Sequence, residues 1–444
     1  MHIVIAGAGE VGRHTAAVLA DANHEITLID QATAKLEAVS ENLDARTLQG
    51  DATRAETLRE AGVARCGLFV AATDADQDNL LAASIAKGIG AAQVIARVHH
   101  SAYHTGLHFD YAGHFHIDQL ICPEYLTSLA IVGVLRDPAV EAVEHFARGK
   151  IIMEQVEIGP ESEVVGMPLK DLSLPAGFRI GTVNREGRSS VPTGETILEA
   201  GEQITLIGTT DVFDKTLPKF RREALRYRKI VIMGGSSISV WLARALDRRF
   251  FRIRLYVNER ARAEELSAKL PHVTVIDDDP TDPDTFAEDR LAEIDAFVAA
   301  SGEDEINILA ALQARHLGVP RTVAVINRPT YHQMIAGLGI DHVFSPRIIA
   351  AREIERLAQR KAVQEIARLD EHGTGIYSIE MGPNVPASGK TLRELELPRG
   401  CVLVGVQRGN DVHVPGPNDR LAPGDKLVAI AQEGLVRKLN ALFT

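Results

Sequence analysis

Gly7, Gly9 and Gly12 follow directly on the apolar run at residues 1–6, in the order Gly-x-Gly-x-x-Gly. That spacing suits a pyrophosphate. Gly7 lets the chain turn sharply, Gly9 lets main-chain N–H groups approach an anion, and Gly12 lets the next helix lie close to the strand. The helix N-terminus adds its own attraction for negative charge. Ala8, Glu10 and Val11 complete the cradle. Asp30 closes the apolar run at 26–29, where a carboxylate accepts both hydroxyls of an adenosine ribose and repels a 2′-phosphate. The expected ligand is therefore NAD(H) or an adenine nucleotide, not NADP(H). The competing account is an empty fold of this type that needs its glycines for packing alone.

A sheet edge is needed to gather these groups. Apolar runs near 2–6, 26–29, 45–48, 67–72, 93–98 and 117–121 read as strands, with helical patterns between them at 14–19 and 76–88. Strands that are apolar on both faces and alternate with helices make a doubly wound parallel sheet. Asp51 and Ala52 would then follow the third strand, Thr73 and Asp74 the fourth, and Arg97 would end the fifth. Glu124 is expected in a loop behind Pro123, near the same carboxyl edge. Ligands of such sheets bind along that edge. Arg97 could serve there as a fixed cation.

The chain repeats itself. Residues 69–81 match 297–309 at an offset of 228, and 117–123 match 340–346 at an offset of 223. Two copies of one unit account for the protein. Within each copy the α/β part is followed by a small α+β part. In the first, 151–158 alternates as a half-buried strand, 183–188 reads as a hairpin and 203–207 closes the module. In the second, 407–412 and 426–430 play the last two parts. Residues 139–148 and 350–369 read as connecting helices, and 219–229 as a basic linker. The expected domains are 1–136, 150–217, 228–350 and 374–444.

The second copy departs from the first where the chemistry lies. Its fingerprint is Gly234, Gly235, Ser236, Ser237, Ile238, Ser239, so serine replaces both Gly9 and Gly12. Asn258 is expected in the place of Asp30, Asp279 in that of Asp51, and Ser301 in that of Thr73. A side chain at Ser236 crowds the approach of a pyrophosphate. The second site is expected to be weakened, altered or lost.

The net charge of −12 argues against a nucleic-acid footprint. No apolar run approaches the length of a membrane span. Cys66, Cys122 and Cys401 are far apart and lack metal-binding spacing, which points to a reducing, cytosolic compartment. The absence of a leader-like segment agrees with that. His99, His100, His104, His108, His114 and His116 crowd one stretch. His100, His104 and His108 would share a helix face, expected as a polar interface; no metal site and no catalytic residue is assigned.

The order of these motifs resembles the TrkA family of potassium-uptake regulators, with tandem RCK (KTN) domains, over essentially the whole chain. The resemblance is carried by residues 7–12, Asp30, Gly50-Asp51-Ala52-Thr53, Ala72-Thr73-Asp74 with Asn79, Ile95-Ala96-Arg97-Val98 and Pro123-Glu124. In the small modules it is carried by Leu169-Lys170-Asp171-Leu172 with Leu174-Pro175, and by residues 406–412. It implies an α/β fold class: two Rossmann-like doubly wound domains, each followed by an α+β RCK-C module. It also implies a homo-oligomer, dimeric or tetrameric, that binds NAD(H) and competing ADP or ATP. Such a ring would lie on the cytoplasmic face of the inner membrane and gate a TrkH/TrkG-like potassium channel or transporter subunit. The alternative is an NAD-dependent oxidoreductase, which would need a substrate domain with a positioned acid or base. A recurring module after residue 150 suits a switch better.

Overall fold

Ile3, Val4 and Ile5 are fully buried, because a strand between two helical layers presents neither face to water. In the computed structural model they belong to the first of four sheets. The structure describes residues 1–105, 109–135, 151–185, 187–220, 228–246, 251–279, 293–328, 331, 335, 337–358, 362–369, 373–409 and 411–443.

The first sheet comprises β1 (His2–Ala6), β2 (Glu25–Asp30), β3 (Arg46–Gln49), β4 (Leu68–Ala71), β5 (Val94–Arg97) and β6 (Gln119–Ile121). The second comprises β7 (Ile151–Glu157), β8 (Phe178–Arg185), β9 (Arg188–Ser190) and β10 (Gln203–Thr209). The third has β11 (Arg228–Met233), β12 (Phe251–Val257), β13 (Thr274–Asp277), β14 (Ala296–Ala299), β15 (Thr322–Val325) and β16 (His342–Phe344). The fourth has β17 (Val363–Arg368), β18 (Thr374–Glu380), β19 (Cys401–Arg408), β20 (Asp411–His413) and β21 (Lys426–Gln432).

These sheets fall into two compact units, Met1–Ile131 with Tyr227–Arg360 and Val132–Arg226 with Lys361–Thr444. In the first unit the strand orders are β3-β2-β1-β4-β5-β6 and β13-β12-β11-β14-β15-β16, all parallel. The order reverses beside β1 and beside β11, which opens a crevice at the carboxyl ends there. The fingerprint helix runs Glu10–Asp21, longer than the expected 14–19, because Val11, Thr15, Ala16 and Leu19 extend one buried stripe along it. The two halves exchange helices. Ala350, Ile354 and Ala358 of the Pro346–Ala358 helix enter the core formed by Val11, Ala16 and Leu19. Tyr125, on the Pro123–Leu135 helix, meets Trp241 of the Ser237–Ala245 helix edge to face at 4.9 Å.

The second unit contains two antiparallel sheets, ordered β7-β10-β8-β9 and β17-β18-β21-β19-β20. Ile151, Met153 and Ile207 of one share an apolar cluster with Ile376, Val428 and Ile430 of the other. The Thr374 hydroxyl donates across to the Ser189 carbonyl at 2.8 Å.

Three expectations change. The helix expected over 350–369 stops at Ala358, and Val363–Arg368 forms an edge strand paired with β18. Pairing with an available edge, through a register shift between Glu365 and Ala367, overrides the helical spacing of Val363, Ile366 and Ala367. The fourth sheet thus gains a strand ahead of residue 374. The basic linker shortens from both ends: Leu217–Lys219 is a 3-10 turn, Phe220 is buried, and Arg228 and Lys229 belong to β11. The remainder of that run, 221–227, and the helix expected at 139–148 lie outside the described residues. His100, His104 and His108 do not share one described helix, since the helix there is Ser101–Thr105 and 106–108 lie outside the description. Among the described residues no helix is long and apolar enough to cross a membrane.

Candidate nucleotide site

The three fingerprint glycines answer to different demands. Gly7 has φ +103°, and a Cβ there would lie 2.7 Å from the Ala72 carbonyl oxygen. A Cβ on Gly12 would lie 1.8 Å from the Gly7 carbonyl oxygen. Both are dictated by the protein's own backbone. At Gly9 the nearest atom to an added Cβ is Asp74 Oδ1, at 4.0 Å. Nothing in the chain calls for glycine at that point; a side chain would simply enter the cleft.

Asp30 fixes this loop. Its Oδ2 accepts from the Ala8 N–H at 2.7 Å, and its Oδ1 from the Ala32 N–H at 2.8 Å. Each carboxylate oxygen accepts more than one hydrogen bond, so Asp30 keeps capacity for sugar hydroxyls.

A cleft of about 160 Å³ gathers Gly7, Gly9, Asp30, Asp51, Ala52, Thr73 and Asp74, along with Gln31, Lys35, Gly50, Thr53 and Asp78. Asp51 Oδ1 accepts from the Thr53 hydroxyl at 2.6 Å and its N–H at 2.9 Å, and these bonds hold its carboxyl below the usual range. Thr73 is set by buried Asn79. The Asn79 side-chain oxygen accepts from the Thr73 N–H at 2.8 Å and hydroxyl at 2.7 Å, while its amide donates to the carbonyls of Thr73 and Arg97. Asp76 clamps the next loop by accepting from the His99 and His100 N–H groups, each at 2.9 Å.

The other expected residues lie outside the cleft lining. The side chains of Ala8 and Val11 are buried behind the loop. Glu10 pairs with Arg13 and with Arg347 of the other half. Arg97 Nη1 lies 3.7 Å from Asp74 Oδ1 and 3.5 Å from the Thr73 carbonyl oxygen. Burial lowers its pKa, opposed by the charges of Glu124, Asp74 and Asp76. Its buried Nε has no hydrogen-bond partner.

Glu124 stands in the first turn of the Pro123–Leu135 helix rather than in a loop, a position that favours an acid. Its Oε1 meets His99 Nδ1 at 2.7 Å. Burial works against its charge, but the bond to His99 and the nearby Arg97 hold it below the usual range. Burial pushes the thiols of Cys66, Cys122 and Cys401 up to about 11, 12 and 12 respectively, so none is a ready nucleophile.

The second fingerprint is closed by its own side chains. Gly234 repeats the turn of Gly7, with φ +103° and a notional Cβ 2.6 Å from Ser301 Cα. Ser236, at the place of Gly9, donates from Oγ to the Ala300 carbonyl at 2.6 Å and accepts from the Ser239 N–H. Buried Ser239 bonds the same carbonyl at 3.3 Å. Arg262 donates to the Gly235 carbonyl through Nε at 3.1 Å and Nη2 at 3.0 Å. Ser237 is exposed and Ile238 buried. Ser301 repeats the pattern of Thr73, bonded to Asn307 through N–H and hydroxyl. Asp279 is exposed and donates its N–H to Asp278.

Strand register corrects one assignment. Gly234 N–H bonds the Tyr256 carbonyl as Gly7 N–H bonds that of Ile29. Buried Val257, not Asn258, therefore occupies the place of Asp30, and the second half has no acid there. The offset between the halves is 227 from Gly7 and Gly234 through β2 and β12, and becomes 228 only at β3 and β13.

Sequence reasoning missed Lys35, Arg262 and Arg347. Lys35 and Arg262 are equivalent at an offset of 227; the first lines an open cleft and the second folds over its loop. The offset was available as a signal, since the two helices begin at Thr33 and Arg260. Arg347 gave none, because its partner Glu10 is in the other half.

Two parallel-sheet nucleotide-fold halves, each followed in sequence by a small antiparallel module, define a tandem RCK protein. The TrkA-N domain model matches residues 3–123 and 230–346, and the TrkA-C domain model matches 153–221 and 376–444. The chain belongs to the TrkA family. It is 30% identical over 443 residues to a Trk system potassium uptake protein TrkA homolog of Archaeoglobus fulgidus, covering 100% of both chains. It is 30% identical over 452 residues to the Trk system potassium uptake protein TrkA of Haemophilus influenzae, covering 100% of this chain and 98% of that protein. In fold it is similar to the GsuK channel bound to NAD, with a TM-score of 0.58 and 21% identity, covering 99% of this chain and 79% of that one.

Proposed function

We propose that this chain is a nucleotide-sensing regulatory subunit of a Trk-type potassium-uptake system. It binds NAD(H), with ADP and ATP as competitors, in the cleft behind Gly7 and Gly9. It acts as a homo-oligomer on the cytoplasmic face of the membrane, through a TrkH/TrkG-like transport subunit. Family membership and the names of the relatives support the potassium role. The observation that carries the nucleotide reading is the open space at Gly9, where glycine serves no packing need. Gly7–Val11 would cradle the pyrophosphate, Asp30 the ribose, and Asp51–Ala52 and Thr73–Asp74 the flanks of the ligand. The self-bonded Ser236 and Arg262, with Val257 in place of an acid, support binding in the first half alone.

The mechanism is a population shift. A nucleotide gates only if it binds two arrangements of the halves unequally. Glu10, beside the cradle, is tied to Arg347 of the second half, so the loop that meets phosphate also touches the element that would move. Paired antiparallel sheets with a shared apolar core, in place of a substrate domain, favour a switch over a dehydrogenase. The test is potassium-limited growth of a host lacking its own regulator and supplied with the cognate transport subunit. The wild-type chain restores growth under NADH-dependent control, and Gly9→Asp does not. Equal restoration by both overturns the proposal.

A further inference from the structure

The two antiparallel modules of the second unit carry unlike surfaces at one place in their shared fold. Hydrogen bonds fix the equivalence, at an offset of 223. Gly166 N–H donates to the Leu198 carbonyl at 2.8 Å, as Gly389 N–H does to that of Leu421 at 2.9 Å. Leu169 N–H donates to the Thr196 carbonyl at 2.9 Å, as Leu392 N–H does to that of Asp419 at 3.1 Å. Arg185 and Arg408 donate from Nη2 to the carbonyls of Ile197 and Arg420 at 2.7 and 2.9 Å. The exposed large apolar side chains among the described residues of this unit are Val165, Met167 and Ile197. Val165 and Met167 flank Gly166, and Ile197 belongs to the segment bridged to theirs. In the second module the same places hold Ser388, Lys390 and Arg420.

The charges around these places change as well. Glu161, Glu163, Glu195 and Glu199 are exposed and flank the apolar residues along the two segments. Their counterparts are Asn384, Pro386, Asn418 and Ala422, none of them charged. Lys170 offsets one of the acids, Glu195, at 2.9 Å. Lys170 and Asp171 do not alter the contrast, since Arg393 and Glu394 repeat their charges. Lys390 and Arg420 share a face on the second module. Bonds with Thr391 come first in holding the Glu394 carboxyl below its usual range, and the charges of Arg420 and Lys390 follow. One module thus shows an apolar patch rimmed by acids, and the other a basic face.

We infer that the apolar, acid-rimmed face of one copy of this chain docks on the basic face of a second copy. The inference rests on the homo-oligomer proposed above, for which it names a contact, and it needs no nucleotide. Opposite charge steers the two faces together and disfavours each meeting its own kind. Side-chain shape supplies the rest. The methylene stems of Lys390 and Arg420 can cover Val165, Met167 and Ile197 while their charged heads reach the carboxylates at the rim. Both faces are exposed within a single chain, so neither covers the other and the complement comes from another molecule. A contact between unlike faces runs head to tail, and it closes into a ring when the rotation from copy to copy allows. A small apolar patch with a charged rim makes this contact modest and sensitive to salt.

The test uses the full chain, with self-association followed by sedimentation velocity. One variant carries Glu163→Lys and Glu199→Lys, the other Lys390→Glu and Arg420→Glu. Each alone should associate about tenfold more weakly than wild type, and a mixture of the two should recover, because each then offers what the other lacks. Copies with Met167→Cys and copies with Lys390→Cys are also treated with a short bismaleimide. The native cysteines are buried, which leaves the introduced thiols to react. Crosslinked pairs should form in the mixture and in neither variant alone. Crosslinking of Met167→Cys by itself, or none in the mixture, overturns the inference. So does association that both charge variants leave unchanged, which assigns the acid-rimmed face to a different, basic partner while the homo-oligomer stands. A wild type that stays monomeric at every concentration overturns the homo-oligomer reading itself.

Discussion

Glu10 and Arg347 form an ion pair that joins the first turn of the fingerprint helix to the first turn of the Pro346–Ala358 helix in the other half. Arg347 is the repeat counterpart of Glu124, at the offset of 223. Duplication has therefore placed opposite charges at one position of the fold. Glu124 stays within its own half, bonded to His99. Arg347 crosses to the other half and lies close enough to Arg97 to lower that guanidinium's pKa.

Breaking this pair should matter more to control than to stability. Both side chains are partly exposed, so a double-mutant cycle on thermal unfolding should give about 0.5 kcal/mol of coupling. Glu10→Arg and Arg347→Glu should each blunt NADH-dependent control of uptake, and the double exchange should restore part of it. Additive functional losses in the double variant would show that the pair carries no signal.

Gly9 and Gly12 should separate cleanly. Gly9→Ala leaves the melting temperature near that of wild type while weakening NADH binding, since the added methyl meets only the cleft. Gly12→Ala must move the helix off the Gly7 carbonyl and should cost at least ~1–3 kcal/mol. Thermal unfolding alongside NADH titration reads both effects. A large stability loss for Gly9→Ala would mean that its glycine serves packing.

Asn79 and Asn307 staple the ends of neighbouring strands in the two halves by matching bonds. Replacing either by Ala strands several buried partners and should cost about 2–4 kcal/mol, measured by denaturant unfolding. Asn79→Ala should in addition weaken NADH binding, because Thr73 loses its anchor. Asn307→Ala should leave that binding intact.

The parallel sheets were legible because Ile3–Ile5 and Phe69–Val70 sit in short runs apolar on both faces, punctuated by glycine and acid. Gly7, Asp30 and Thr73 were legible because one local motif places them along one edge. Arg347 and Trp241 were not, since each matters through a helix of the opposite half and no local spacing encodes that exchange. Val257 takes the place of Asp30 because the repeat offset is 227 from the fingerprint through β12 and rises to 228 only at β13, so the offset of the later strands points one residue too far here. Val363, Ile366 and Ala367 keep helical spacing, and the run becomes a strand by pairing with β18 through a register shift between Glu365 and Ala367, which no sequence period encodes.

Acidification should loosen the first unit. Burial, followed by the charge of Arg352 on the Pro346–Ala358 helix, lowers the pKa of His14 on the fingerprint helix. Burial likewise lowers His24 and His342. An unfolded histidine takes up its proton near pH ~6.5, and the fold resists that uptake. Stability is therefore full above about pH 6.5 and falls as pH drops through that value. His14→Gln should flatten the fall in melting temperature between about pH 7.5 and 5.5. An unchanged slope would exclude His14 as a contributor.

The central claim is that one half of a duplicated fold senses nucleotide and the other is closed by its own side chains. Calorimetric titration of NADH into the full chain tests it most directly. The account predicts one NADH per chain, abolished by Gly9→Asp and untouched by Ser236→Asp. Two equivalent sites per chain, or binding that survives Gly9→Asp, would contradict it.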